Sequence, residues 1–250
     1  MPAPRVETIP LVDDSELGLS VVEPEGAVRG GIVLLHDADG VTEHVTHILE
    51  GLADEGWLAV APDLYHRARD GGESPDGRSV LADSDASFGW LADHGVPSDR
   101  MGVLGFDLGA TAALVVASKR SLGAAVTVAA GGVRTPLAAG LPALLDVVGE
   151  LTCPWLGLYG ETGDDVDPAD VEQLREAAHA SDRVVDVVVY PASEHRFDAA
   201  GRADAAPAPG TGEPASDEGR ASDAAGDPDD RGTVTEARSR VLNWFDAHLR

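Results

Sequence analysis

A chain of 250 residues with 43% apolar side chains is long enough to bury the core of one α/β domain and short for two. It carries 44 acidic against 18 basic residues, a formal net charge of −26, with Lys119 its sole lysine. Such a field repels nucleic acid and anionic membrane, so neither is expected as a partner, and no apolar run is long enough to span a bilayer.

Residues 1–14 lack the basic-then-apolar pattern of a secretory leader, so a cytoplasmic location is expected. Two short segments, Glu7–Leu11 and Leu17–Val22, read as an antiparallel edge. Six short apolar, β-branched runs then follow: Gly31–Leu35, Trp57–Ala61, Met101–Phe106, Ala124–Ala129, Pro154–Tyr159 and Val184–Tyr190. Several are apolar throughout, the pattern of parallel strands covered on both faces. Between them lie helical patterns. Val45–Glu55 places Val45, Ile48, Leu49 and Leu52 on one face, and Ser79–His94 offers Leu81, Phe88, Trp90 and Leu91. Ala110–Ser121 is built of small apolar residues suited to close packing on a sheet. Pro168–Ala180 starts with proline and early acids, and Val234–Leu249 closes the chain. The alternation predicts an α/β fold with a doubly wound, mostly parallel sheet, as one domain over 1–250.

Residues 199–232 break this pattern. They hold only Ala, Gly, Pro, Ser, Thr, Arg and acids, and cannot repay their ordering by burial. A disordered surface insertion is expected there. The stretch has eight acids and three arginines, a net of −5, which leaves −21 on the rest of the chain. The acidity therefore belongs to the whole surface and suggests a high-salt cytoplasm. Cys153 is the sole cysteine, so no disulfide can form within the chain. Its place before Pro154, at the head of an apolar run, points to packing over reactivity.

The informative motif is Gly105-Phe106-Asp107-Leu108-Gly109-Ala110, between the strand MGVLGF and the helix ATAALVVAS. A nucleophile elbow needs this context: a tight strand-to-helix turn that projects one side chain above the sheet, with small residues two positions either side. The N–H of Leu108, after the turn, then heads a helix and can stabilise an oxyanion. Asp107 has two readings, a helix N-cap or a carboxylate nucleophile. A carboxylate attacks an alkyl carbon to give a hydrolysable ester, whereas its attack on an acyl group gives an anhydride. Downstream, the acidic loop Gly160–Pro168 offers Asp164 or Asp165, and His195 follows the last predicted strand. The order nucleophile, acid, histidine is that of a hydrolase triad, with His195 as general base. His44 and His47 have helical metal spacing without a third ligand, and are read as a solvated helix face.

With these residues in place, the chain resembles the dienelactone hydrolase family from about Gly31 to the final helix. The likeness is carried by GIVLLHDADG, by Ala61-Pro62-Asp63-Leu64-Tyr65-His66-Arg67, by VLGFDLGATAA, and by LYGETGDDVDP with VYPASEHRF. The family's elbow is G-x-C-x-G, and Asp107 stands where its cysteine would be. Residue by residue, the resemblance implies His195 as base and Asp164 as orienting acid. It implies Arg67 as a fork for a substrate carboxylate, Ala38 and Leu108 as oxyanion donors, and Asp37 as an acid beside Asp107. Two such carboxylates do not both ionise easily. At the elbow alone, the chain is similar to haloalkane dehalogenases and epoxide hydrolases. The expected activity is hydrolysis of a small ester, lactone or alkyl electrophile, with no metal or organic cofactor implied. The alternative is a hydrolase fold that has lost its nucleophile and only binds a small molecule or partner. The oligomeric state is left open.

If the surface charge opposes folding in dilute salt, thermal melts will show Tm rising by about 5 °C or more between dilute and molar KCl. A Tm indifferent to KCl would remove the high-salt reading.

Overall fold

The computed structural model describes residues 3–68, 75–162, 167–194 and 228–249. Eight strands form one sheet in the order β1-β2-β4-β3-β5-β6-β7-β8. The strands are β1 (Arg5–Pro10), β2 (Glu16–Val22), β3 (Gly30–Leu35), β4 (Trp57–Pro62), β5 (Met101–Phe106), β6 (Ala124–Val128), β7 (Trp155–Thr162) and β8 (Val185–Glu194). β1 pairs antiparallel with β2, and β2 antiparallel with β4; every other neighbour is parallel. This is the doubly wound sheet with an antiparallel edge that the sequence pattern predicts. Every residue of β3, β4, β5 and β6 is buried, because helices cover both faces.

On one face, α1 (Glu43–Asp54) and α5 (Pro228–His248) bury Leu49, Leu52 and Phe245 against Ile32, Leu34 and Val126. On the other, α2 (Gly77–Asp93), α3 (Leu108–Lys119) and α4 (Pro168–Ala178) pack on Val33, Leu35 and Val103. α3 lies deepest: its residues from Gly109 to Ser118 are all buried, which its alanines and valines allow without crowding. Helix starts follow local chemistry. Thr42 accepts the Val45 N–H at 3.3 Å, Asp76 accepts that of Ser79 at 2.9 Å, and Asp167 precedes Pro168 at the head of α4. Among the described residues, no helix is long and apolar enough to cross a membrane.

Two boundaries differ most from the sequence expectation. β8 runs through Pro191 to Glu194, beyond the predicted end at Tyr190. It pairs with β7 alone, and an edge strand tolerates a missing N–H. α5 begins at Pro228, ahead of Val234, so the last residues of the acid-rich stretch are helical. The remainder of the expected insertion lies outside the described residues.

Cys153 is 1% exposed, and burial pushes its thiol up to about 12. The native protein should therefore leave Ellman's reagent unreacted, with one equivalent of thiol appearing on unfolding in urea. Fast labelling of the folded chain would contradict this packing.

Candidate active site

Asp107 ends β5 and opens α3 with φ 52° and ψ −115°, a backbone that an L-residue adopts at a cost of about 1–3 kcal/mol. Its neighbours over-determine this geometry. Its N–H donates to Val128 O at 3.1 Å, and its carbonyl accepts the Thr111 N–H at 3.0 Å. The Thr111 hydroxyl is anchored on Gly131 O at 2.9 Å. The two glycines are obligatory. A Cβ on Gly105 would lie 2.3 Å from Gly109 O, and one on Gly109 would lie 2.1 Å from Leu35 O and 2.7 Å from His36 O. Strand β5, helix α3 and the end of β3 thus meet backbone to backbone around Asp107.

The capping alternative does not hold. Thr42, Asp76 and Asp167 each accept an N–H at the head of their helix, whereas the Asp107 side chain makes no capping hydrogen bond to α3. Its side chain is half-buried. Leu108, as first residue of the helix, has an N–H that no helical carbonyl can reach. A second left-handed residue, Ala129 with φ 60°, follows Val128 on the adjacent strand. An alanine gives no sequence signal of this.

The loop after β3 forms the next wall. Asp37 is 4% exposed, and its Oδ1 accepts the Asp39 N–H at 3.1 Å. Ala38 is exposed beside it. His36 ties this loop to the one after β4. Its Nε2 accepts the Leu64 N–H at 3.2 Å, so Nδ1 carries the proton and donates to Asp37 O at 2.7 Å. Burial lowers the imidazole pKa and keeps it neutral. Sequence reading found no role for His36; only the fold reveals the two backbone groups it joins.

Tyr65 stacks on His36 with ring centroids 5.9 Å apart. Burial, and then the charges of Asp107, Asp37 and Asp39, raise its hydroxyl above the ordinary tyrosine range. It therefore stays an O–H donor, facing the same carboxylates that the sequence singled out at 37 and 107. Tyr65 lies inside the motif Ala61–Arg67, yet sequence reading assigned it no task.

Arg67 is expected to offer its fork to a substrate carboxylate. In the structure Nη1 lies 3.0 Å from each oxygen of Asp83, a carboxylate with no exposed side-chain surface. The same Nη1 is 2.7 Å from His66 Nε2, toward which a guanidinium can only donate. Nη2 reaches Asp13 at 3.4 Å. Presenting this fork to a ligand means releasing Asp83. Burial raises the Asp83 carboxyl pKa against the opposing pull of Arg67. His195, Asp164 and Asp165 lie outside the described residues.

A strained elbow between a buried parallel strand and a small-residue helix, on a sheet of this order, defines an α/β-hydrolase. The model of the dienelactone hydrolase family matches residues 18–249, and the chain belongs to that family. A Yersinia pestis protein assigned as a carboxymethylenebutenolidase is 31% identical over 185 residues, spanning 67% of this chain and 68% of its own. The crystal structure of a Klebsiella pneumoniae protein assigned as a dienelactone hydrolase superposes with TM-score 0.79 at 24% identity, covering 98% of this chain and 99% of the other. A dienelactone hydrolase from Anabaena variabilis gives 0.69 at 17% identity, over 100% and 99%.

Arg67→Met removes the cation that holds Asp83 charged inside the protein and should cost about 3–5 kcal/mol in urea unfolding at neutral pH. The deficit should shrink as the pH falls and the Asp83 carboxyl, already raised, takes a proton. A deficit equal at all pH values would show that the ion pair is not its source.

Proposed function

We propose that this protein hydrolyses small electrophiles without a carboxylate of their own, with Asp107 as nucleophile, His195 as general base and Asp164 as orienting acid. The observation that carries this reading is the backbone of Asp107, strained at φ 52° with its carboxylate released from capping duty. A site that had only to start a helix would not hold such strain.

The chemistry follows from the nucleophile. An Asp107 oxygen attacks an alkyl carbon and the carbon–halogen or carbon–oxygen bond breaks, leaving an alkyl ester on the enzyme. A halide departs as the anion; an opened epoxide takes a proton from Tyr65, restored later through solvent. His195 then removes a proton from water, which attacks the ester carbonyl of Asp107. Leu108 and Ala38 N–H groups stabilise the oxyanion, and collapse frees the alcohol and the carboxylate. Asp37, Asp39 and Asp107 all act on Tyr65, while the Arg67 fork is taken by Asp83, so among the described residues the field disfavours an anionic substrate. The acidic surface fits this reaction to a high-salt cytoplasm.

A second reading is favoured by the relatives, whose name denotes a butenolide, a lactone. In it, His195 activates water directly against a small ester or lactone, and Asp107 assists. Isotope labelling separates the two. In a single turnover in ¹⁸O-water, an Asp107 nucleophile delivers its own ¹⁶O to the alcohol. Direct attack by water on an ester puts ¹⁸O into the acid product and leaves Asp107 unlabelled.

In molar salt, a panel of haloalkanes, epoxides, aryl esters and lactones should reveal turnover that Asp107→Ala abolishes. Tyr65→Phe should lower kcat on the order of 10²-fold for epoxides, as removal of one preorganised donor does. Turnover untouched by Asp107→Ala would sink the nucleophile, and silence across the panel would leave a binding protein.

A further inference from the structure

Away from the elbow, on the sheet face covered by α1 and α5, lies a cavity of about 250 Å³. Its floor is Leu104 and Phe106 of β5 with Val128 and Leu158 of the neighbouring strands, and its walls come from the two helices. None of the floor side chains is polar. Its rim is basic instead: His44 and His47 from α1, and Arg238 from α5. The Arg238 guanidinium lies over Gly51, where a Cβ would sit 2.7 Å from Nη2.

In a chain of net charge −26, this grouping stands out. Arg5, Arg29, Arg120, Arg134, Arg175 and Arg240 each pair with a surface carboxylate. Arg238, like Arg78, Arg100 and Arg183, has no carboxylate partner among the described residues, and of these four it alone lines this apolar cavity. The spacing of His44 and His47 on one helix face serves this rim, where the sequence suggested only a solvated surface.

We infer that this cavity is a binding site, separate from the elbow, for a small amphiphile with an anionic head and a short saturated tail. The tail occupies the apolar floor, and the head meets Arg238 with His47 beside it. The volume limits the tail to a single short chain. The acidic surface elsewhere repels such a molecule, so attraction is confined to this rim.

The probe is octanoate, titrated by calorimetry into the full-length protein, with octyltrimethylammonium and octanol as charge controls. The expected result is one octanoate per chain and no saturable heat from the cation. Arg238→Glu, an exposed change, should weaken octanoate at least tenfold. Ala237→Leu, which fills the cavity from α5, should abolish it, and Asp107→Asn should leave it unchanged. No saturable octanoate heat overturns the site. So does binding indifferent to both Arg238→Glu and Ala237→Leu, or equal for the octyl cation. Binding lost in Asp107→Asn would place the molecule at the elbow. Turnover on the substrate panel is scored separately, so failure of either proposal leaves the other standing.

Discussion

An aspartate held at φ 52° and ψ −115° cannot relax while Gly105 and Gly109 let β5, α3 and the end of β3 press backbone against backbone. The turn leaves no room to move. Any side chain at 105 or 109 would overlap main-chain oxygen within 2.3 Å, and the Asp107 N–H and carbonyl are both engaged. The strain of about 1–3 kcal/mol is borne by the burial of α3, whose residues from Gly109 to Ser118 are all buried. Because the same close approach fixes the carbonyls of Leu35 and His36, the elbow sets the start of the loop that carries Asp37 and Ala38.

From that loop the order spreads by hydrogen bonds. Neutral His36 links Asp37 O to the Leu64 N–H, and its ring supports Tyr65. Two residues on, the buried Asp83 carboxylate holds Arg67, whose Nη1 also donates to His66. A charge in so dry a place is tolerated because a guanidinium meets both its oxygens. The wall of the site is thus pinned at one end by a neutral imidazole and at the other by an ion pair. Tyr65 sits between, its proton kept by burial and by three nearby carboxylates.

Much of the fold was legible because buried parallel strands and a small-residue helix leave an unmistakable apolar pattern. The runs Gly31–Leu35 and Met101–Phe106 became β3 and β5 with scarcely a shift. The β8 boundary failed where the local signal was misleading: Pro191 reads as a strand end, and only the edge position of β8 makes it harmless. At the site, the elbow was readable since glycine spacing and context coincide there. His36 and Asp83 were not readable. A histidine among apolar residues and an aspartate in a helix carry no mark of the distant backbone or guanidinium they will meet, 28 and 16 residues away in sequence. Nor does alanine at 129 announce its left-handed backbone.

The two faces of the sheet divide the labour. α2, α3 and α4 cover the face on which Gly105 and Gly109 hold the Asp107 turn backbone against backbone. α1 and α5 cover the other face, where a cavity of about 250 Å³ lies beneath the carboxyl ends of β5, β6 and β7. For Asp107 to act as the proposed nucleophile its carboxylate has to be held rigidly, since a misplacement of about 1 Å costs on the order of 10²-fold in rate. No such demand falls on the opposite face. Phe106 joins the two: its backbone leads into the Asp107 turn while its ring floors the cavity.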